Sequence, residues 1–279
     1  MNKLLILSLL QAPCGYAATE APILKLRPVP FSDVKVADTF WTPRQETNRL
    51  ASIPSNLENL EKAGNIRNFE LATAGKREGY SGPVFMDSDL YKGLEAAAYS
   101  LATHPDPALD KKLDEIIAKI AAAQQPDGYL NTHFQVVDPD KKWSNVRDWH
   151  ELYCAGHLIE AAVAHYRATG KRTLLDVAIK LADCIDNTFG PTKRHEVCGH
   201  EEIELALVKL YRATNQQKYL DLAEFFLDMR GNKEARGGRL FGDSCQDSVP
   251  VREQKQIVGH AVRAMYLYTA MADVAAATG

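Results

Sequence analysis

A short marker recurs along the chain and constrains its fold more than any other feature. Three times the dipeptide Ala-Thr is followed, after five residues, by Leu-Asp, and the chain ends within a fourth copy. The copies begin at Ala102, Ala168, Ala213 and Ala277. Apolar residues recur at three- and four-residue steps beside the markers, as in amphipathic helices, and Gly170 and Asn215 suit the left-handed residue that ends a helix. Each marker therefore predicts the tight turn of a helical hairpin.

The flanking segments predict three helical hairpins and the first helix of a fourth. The predicted helices are 87–101 with 109–124, 150–168 with 173–186, 200–213 with 218–229, and 254–277. A hairpin in such an array buries its apolar face only against its neighbours. We therefore predict an all-α fold, in which residues 49–279 form an incomplete (α/α)6 toroid that is truncated in the fourth hairpin. Three and a half hairpins are too few to close a ring of six.

Long connections occupy one end of the predicted array. Segments 125–149 and 231–253 each join the end of one hairpin to the start of the next. Long loops in a compact repeat are usually functional. Because these loops meet the N-termini of the first helices, we expect them to form one rim around a shared cavity.

The N-terminal region is predicted to contain a signal peptide and an extended arm. Residues 1–18 combine Lys3, an apolar run at 4–10 and small residues near Ala18, which is the layout of a secretory signal. The apolar run is shorter than the roughly 18 residues of a membrane span. We therefore expect export to the periplasm or the extracellular space. Residues 19–48 are predicted to form the arm, with a short strand where residues 31–36 alternate.

Composition narrows the classes of partner. The chain is 46% hydrophobic and 25% charged, with a net charge of −3, which is typical of a globular protein. With no basic patch, neither a nucleic acid nor a membrane surface is an expected partner, and no pattern indicates an oligomeric state. Cys154, Cys184, Cys198 and Cys245 show no CxxC spacing, so we predict buried free thiols rather than disulfides.

Three predicted first helices open with a histidine, namely His150, His200 and His260. A helix N-terminus disfavours a positive charge, so these imidazoles should be neutral, with one nitrogen donating and one accepting a hydrogen bond. That pattern suits sugar hydroxyls. A single histidine could instead cap a helix or satisfy a buried carbonyl, but three at equivalent repeat positions favour a binding site. Glu202 and Glu204 follow on the second of these helices, and we expect one to face the cavity and the other to be solvated or salt-bridged.

Further polar residues are expected on the same rim. Asp87 and Asp89 begin the remaining first helix, and the loop 124–130 contains Gln125, Asp127 and the aromatic ring of Tyr129. The loop could equally be a turn whose proline and glycine set the backbone. The predicted substrate contacts are His150, His200, His260, Asp87, Asp89, Gln125 and Asp127.

No motif indicates a metal site in this chain. His150-Glu151 followed by His157 lacks the four-residue return of an HExxH zinc helix, and Cys198 with His200 is only a pair of possible ligands. We therefore expect this chain alone to bind no metal. A Ser-His-Asp elbow, a P-loop and a dinucleotide fingerprint are also absent from the sequence.

With these residues in view, the chain resembles glycoside hydrolase family 127, the β-L-arabinofuranosidases. Five stretches carry the resemblance in the order found in the family, and it covers about residues 30–279. They are DSDLYK at 87–92, QQPDGYL at 124–130, HELYCAGHLIEAAVAHY at 150–166, GHEEIELALVKLY at 199–211, and PVREQ through GHAVRA at 250–264.

The resemblance implies an (α/α)6 catalytic toroid followed by β-sandwich domains. It also implies a retaining hydrolysis in which a zinc-bound cysteine thiolate attacks the anomeric carbon and a glutamate acts as acid/base. Zinc would keep such a thiol deprotonated at neutral pH. In the family the ligands lie in a Glu-x-Cys motif and a Cys-Cys pair in the later half of the toroid, and we expect neither motif to occur in this chain. Zinc is thus implied for a complete family member, whereas no catalytic residue is assigned here. The resemblance implies sugar contacts from His150, His200 and His260.

Two positions depart from the family pattern. Ser248 stands where a histidine is expected, and Gly93 lies inside a predicted helix where a large side chain is usual. A mid-helix glycine costs about 0.5–1 kcal/mol relative to alanine. Gly93 therefore affects the expected packing rather than the expected fold.

Three functional hypotheses remain open at this point. The first is the N-terminal half of an exported glycosidase that releases terminal β-L-arabinofuranose from plant-type glycans and is inactive as this isolated chain. The second is a short, non-catalytic carbohydrate-binding or interaction module with the same half-toroid. The third, another toroid enzyme such as a polysaccharide lyase or an unsaturated glucuronyl hydrolase, shares only the architecture.

Overall fold

The structure is a computed structural model that describes residues 28–279. Within that range the chain is helical and forms no strand beyond two isolated bridges. The helices are α1 Trp41–Thr47, α2 Ile53–Ala63, α3 Asn65–Ala74, α4 Met86–Thr103, α5 Pro107–Ala123, α6 Thr132–Val136, α7 Glu151–Thr169, α8 Thr173–Thr188, α9 Ile203–Thr214, α10 Gln217–Met229 and α11 Ala261–Thr278. The predicted all-α class and the hairpins α4–α5, α7–α8 and α9–α10 are confirmed.

The hairpin turns show why the marker recurs. Gly170 and Asn215 end α7 and α9 in the left-handed conformation, with φ of 74° and 56°. The Thr169 hydroxyl donates to the carbonyl four residues earlier and accepts the N–H two residues later, and Thr214 does the same. The threonine therefore satisfies backbone groups on both sides of the turn. The first turn differs, because Asp106 caps α5 by accepting two backbone N–H groups.

The hairpins are arranged in two layers. Helices α4, α7, α9 and α11 pack side by side in chain order, and α5, α8 and α10 cover them. Buried apolar side chains from both layers form one continuous core. Because each first helix is followed by an antiparallel partner, α4, α7, α9 and α11 all begin at the same face of the array. This face is called the rim below.

Helix α7 is the central element of the first layer. Every residue from Glu151 to His165 is buried, because α4, α9 and α8 enclose the helix. The sequence predicted an amphipathic helix with a broad buried face, whereas burial on all sides is typical of a core helix. Its polar residues Glu151, His157 and Glu160 are therefore in the interior.

Helices α1 to α3 were not predicted. A π-helical segment, Asn48–Ser52, joins α1 to α2, so the helical region begins at Trp41 rather than after residue 48. Gly93 explains how α2 packs on α4. A Cβ at Gly93 would lie 2.9 Å from a Leu60 methyl and 3.0 Å from the Asn56 side-chain oxygen, so the missing side chain permits the close approach of the two helices.

Two helices begin later than predicted. Helix α11 begins at Ala261 rather than at residue 254, because Gly259 has a φ of 77° and lies against the backbone of Asp243, where a Cβ would be 1.8 Å from its carbonyl oxygen. Helix α9 begins at Ile203, because Glu202 has an extended φ of 178°. His200 therefore lies in the preceding loop and not on a helix.

Two N-terminal predictions have different outcomes. The predicted strand at residues 31–36 is wrong, since Phe31–Asp33 forms a 3-10 turn and residues 34–37 form no ladder. The predicted signal peptide at residues 1–18 lies outside the described residues. Among residues 28–279, no helix is long and apolar enough to cross a membrane.

Candidate functional site

The three predicted histidines meet at the rim. The His200 ring lies between the other two, with its centroid 5.8 Å from that of His150 and 6.2 Å from that of His260. His150 and His260 immediately precede α7 and α11, and His200 comes from the loop before α9. Three hairpins thus each supply one imidazole to a single cluster, as the repeat register predicted.

Burial keeps two of these imidazoles neutral. Desolvation lowers the pKa of His150 and lowers that of His200 to about 4, and the Arg263 guanidinium lowers both further. The helix N-terminus was the predicted cause, and the structure adds loss of water as a strong one. Nδ1 of His150 lies 2.6 Å from the Asp148 carbonyl, and Nδ1 of His200 lies 3.1 Å from the Glu201 carbonyl. In a neutral ring these bonds place the proton on Nδ1, which leaves Nε2 to accept a hydrogen bond.

Tyr153 lies at the centre of the histidine cluster. Its ring centroid is 4.4 Å from that of His200, 5.6 Å from that of His150 and 4.5 Å from that of His157. Its hydroxyl accepts a 2.8 Å hydrogen bond from the Lys92 ammonium of α4. Burial raises the pKa of Tyr153, so the hydroxyl keeps its proton. The cluster therefore has an aromatic centre with polar groups around it.

A buried polar cluster lies one turn further along α7. Nδ1 of His157 is 3.4 Å from Oε1 of Glu202, and Glu160 accepts a hydrogen bond from the Lys209 ammonium. Burial lowers the pKa of His157 to about 3 and raises the pKa of Glu202 well above its usual value. Burial therefore acts against charge on both members of the His157–Glu202 pair.

Arg230 supports the loop that carries His200. Its guanidinium is fully buried, pairs with Glu201 at 2.8 Å and Glu204 at 2.9 Å, and donates to the carbonyls of Cys198 and Cys245. Of Glu202 and Glu204, one was expected to face the cavity and the other to be a solvated or salt-bridged surface residue. Glu204 is salt-bridged, but in the interior, because Arg230 at the end of α10 lies between the loop that carries Cys198 and the loop that carries Cys245.

The structure gives the two aspartates of α4 different surroundings. Asp87 is buried, and its carboxylate accepts hydrogen bonds from the backbone N–H and hydroxyl of Thr132. Burial raises its pKa to about 6. Asp87 thus joins α4 to α6 instead of facing the histidines. Asp89 is exposed in the groove between α2 and α4, beside Lys92, and is close enough to raise the pKa of Tyr153.

The predicted loop residues do not join the histidine cluster. Gln125 accepts a hydrogen bond from Lys142, and Asp127 accepts the backbone N–H of Tyr129 at 3.0 Å. Tyr129 is buried and donates to Glu151, so it offers no exposed aromatic face. The loop packs on α8, and the alternative interpretation as a structural turn describes it better. For all seven predicted contacts, a role in sugar binding stays a prediction.

Sequence reasoning missed several residues of the cluster. Lys92, Tyr153 and Tyr266 surround the histidines, and Tyr266 lies 5.8 Å from His200 between ring centroids. A signal was available, because Tyr153 and His157 follow His150 at helical steps of three and seven residues, which places them on one face of α7. The same signal could not reveal Lys92, which comes from another hairpin.

The cysteines do not form the zinc-thiolate centre that the family resemblance implies. All four described cysteines are free and buried, as predicted. Burial raises the pKa of each thiol, that of Cys184 to about 11. The expectation that neither family motif occurs here is wrong for the first motif, because Glu196-Val197-Cys198 is a Glu-x-Cys triplet. Glu196 pairs with Arg194 and Arg239, and the Cys198 thiol donates to the His200 carbonyl, so the described residues do not fit that centre and no reaction step is assigned to it.

The arrangement can recognise a polyhydroxylated ligand. Neutral imidazoles accept and donate hydrogen bonds, a lysine and a tyrosine hydroxyl add donors, and the aromatic rings provide apolar faces. The described part of the cluster holds no thiolate. It therefore supports binding and orientation rather than nucleophilic attack.

Comparison with known proteins identifies close relatives. The family described as "Beta-L-arabinofuranosidase, GH127 catalytic domain" matches residues 33–279. The non-reducing end β-L-arabinofuranosidase of Bifidobacterium longum subsp. longum is 43% identical over 235 residues, which cover 76% of this chain and 36% of that protein.

Two solved structures share the fold. A GH127 β-L-arabinofuranosidase from Geobacillus stearothermophilus T6 has a TM-score of 0.82 at 47% identity, covering 87% of this chain and 42% of its own. A second GH127 β-arabinofuranosidase has a TM-score of 0.84 at 46% identity, covering 90% and 41%. The chain thus spans about two fifths of the length of these relatives.

Proposed function

Because this chain belongs to the GH127 β-L-arabinofuranosidase family, we propose that it is the N-terminal half of a retaining glycoside hydrolase that releases terminal β-L-arabinofuranose from plant-type glycans. In this proposal the rim histidines bind the terminal sugar. The observation that carries it is the convergence of His150, His200 and His260 around Tyr153. The neutral rings of His150 and His200 present the acceptors and donors that furanose hydroxyls require.

In this proposal the described residues bind the sugar and do not cleave the glycosidic bond. The four described cysteines are buried and hold their protons at neutral pH, so residues 28–279 offer no activated thiolate as nucleophile. We therefore expect the 279-residue chain to bind arabinofuranosides without releasing arabinose. Zinc belongs, in this proposal, to the complete family member.

Binding can be measured by titrating the chain with methyl β-L-arabinofuranoside in a calorimeter. His200→Ala should weaken binding at least tenfold, because it removes the central ring. His104→Ala is the matched control, since His104 lies at the opposite end of α4 beside Glu46 and should leave the affinity unchanged. Equal affinity of the His200→Ala variant and the unaltered chain would refute the proposed site.

A non-catalytic sugar-binding module is the second candidate function. The burial of all four described thiols favours it. Both candidates predict binding, so product release separates them. Arabinose release from 4-nitrophenyl β-L-arabinofuranoside by the longer protein, when its coding sequence extends past Gly279, supports the hydrolase, and binding without release in that protein supports the module.

Export is part of the same proposal. A protein that acts on plant-type glycans meets them outside the cell, and residues 1–18 have the layout of a secretory signal. Sequencing the N-terminus of the mature protein tests it. A new N-terminus near Thr19 is the expected result, and a retained Lys3 in the mature protein would contradict export by this route.

A further inference from the structure

A second site lies in the buried cluster formed by His157, Glu160 and Glu202. His157 and Glu160 are three residues apart on α7, and Glu202 precedes α9. One ligating atom from each lies within 4.8 Å of the others. A histidine and a carboxylate at this helical spacing, completed by a carboxylate from a neighbouring helix, resemble the metal sites inside helix bundles.

The cluster contains buried polar atoms that form no hydrogen bond with any described residue. His157 is 3% exposed and Glu202 is 0% exposed. Among the described residues, neither ring nitrogen of His157 and neither carboxylate oxygen of Glu202 has a hydrogen-bond partner. Leaving such groups unpaired in the interior is unfavourable, so their convergence points to a ligand that pairs with them.

The spacing of these atoms fits a small cation. Ligand atoms at about 2.1 Å from a tetrahedral zinc ion lie roughly 3.4 Å apart. The distance from Nδ1 of His157 to Oε1 of Glu202 is 3.4 Å. Gly156 allows this approach, because a Cβ there would lie 2.5 Å from Cγ of Glu202.

Local charge also favours a cation. The carboxyl groups of Glu95 and Glu204 act on Glu202, and the ammonium of Lys92 opposes them. Lys209 pairs with Glu160 and is also acted on by the carboxyls of Glu95 and Asp273 and by the guanidinium of Arg212. Lys209 holds Glu160, but its side chain is 31% exposed. It can therefore turn towards solvent when another cation takes its place.

We propose that His157, Glu160 and Glu202 bind a zinc-type divalent cation that displaces the Lys209 ammonium from Glu160. This site differs from the expectation that the chain alone binds no metal. The sequence could not show it, because the third ligand is 42 residues from Glu160 and reaches the cluster only through the packing of α7 against α9. A second cluster, Asp110, Asp114 and His165, carries no such proposal, because its two aspartates are partly exposed to solvent and both pair with Lys171.

The test uses the full chain with zinc chloride in a calorimeter and cobalt chloride as a spectroscopic probe. One ion should bind per chain, and cobalt should show the intense visible bands of a tetrahedral site. Glu202→Gln should weaken binding at least tenfold while keeping the shape of the side chain. Lys209→Met should tighten binding several-fold, because the competing ammonium is removed. A misfolded variant could not produce that gain.

His165→Asn is the matched control, because His165 is also a buried histidine of α7 with unpaired ring nitrogens. It should leave zinc affinity unchanged, and a circular dichroism spectrum of each variant confirms folding. The proposal is overturned if no ion binds, if His165→Asn abolishes binding while Glu202→Gln does not, or if Lys209→Met weakens it.

Discussion

Replacing Arg230 with methionine should destabilise the protein more than any other single change at the rim. The guanidinium is 0% exposed and pairs with Glu201 and Glu204, which are also in the interior. Methionine has a similar length and fills most of the space, so the change removes charge and hydrogen bonds with little loss of volume. Two carboxylates would then be buried without their cation.

The magnitude follows from the contacts that are lost. Breaking a buried ion pair by removing one partner costs about 3–5 kcal/mol, which is a large part of the 5–15 kcal/mol that stabilises a typical domain. The carboxyl groups can reduce this cost by taking protons. Burial already raises the pKa of Glu201 to about 7, although Arg230 opposes the rise. Removing Arg230 should raise that pKa further.

The loss of stability caused by Arg230→Met should increase with pH. The folded-state pKa of Glu201 lies above its unfolded value near 4.5, so its contribution to stability is complete below pH 4.5 and is lost as pH rises through the folded pKa. In the Arg230→Met variant that loss continues to higher pH. The difference in unfolding free energy between the variant and the unaltered protein should therefore widen above pH 7, by up to about 1.4 kcal/mol per pH unit.

Urea unfolding followed by circular dichroism, at pH 6 and pH 8, measures these differences. A matched variant, Arg230→Met with Glu201→Gln and Glu204→Gln, removes the charges together with their partner and should recover part of the loss. If Arg230→Met lowered the unfolding free energy by less than about 1 kcal/mol at both pH values, the buried ion pairs of Arg230 would not be stabilising the fold as described. The same would follow if the triple variant were less stable than the single one.

Three further predictions concern the same rim and core. Gly156→Ala should lower the unfolding free energy by about 1–3 kcal/mol in thermal unfolding, because the new methyl would clash with Glu202. Gly93→Ala should cost less, because its methyl would meet only side-chain atoms. The reverse order of the two costs would contradict this packing. Burial raises the pKa of Glu151 to about 7, so the contribution of this carboxyl to stability should be lost between pH 4.5 and 7. Glu151→Gln should remove about 1–3 kcal/mol of that pH dependence in urea titrations; the same pH dependence in both proteins would show that the carboxyl is not desolvated. In a Cys14→Ser background, Ellman's reagent should react with none of the four described thiols until urea is added, and rapid reaction of the native protein would place a thiol at the surface.

The sequence predicted the fold from local signals. The Ala-Thr marker and its left-handed residues placed three hairpins within a few residues, because the threonine and glycine act on neighbouring backbone groups. Helices α1 to α3 escaped prediction because they carry no marker. The π-helical segment Asn48–Ser52 joins α1 to α2, and Gly64 alone separates α2 from α3. The start of α11 was misplaced because Gly259 is held by a distant backbone contact, with Asp243.

The candidate site was predictable only where repeat register determines position. His150, His200 and His260 precede α7, α9 and α11, so the repeat of the hairpins brings the three rings together at the rim. Asp87 and Gln125 were predicted from their position near the rim, but Thr132 and Lys142 bind them. Such hydrogen bonds depend on how the loops between hairpins fold back onto the helices, and the spacing of the repeats does not determine that.

An NMR titration of the imidazole ring nitrogens with methyl β-L-arabinofuranoside tests directly whether the rim histidines bind the sugar. The resonances of His150, His200 and His260 should shift together with one dissociation constant, while those of His104 and His133 stay unchanged. The rim would not be the sugar site if none of the three resonances moved at saturating sugar, or if only His104 or His133 responded.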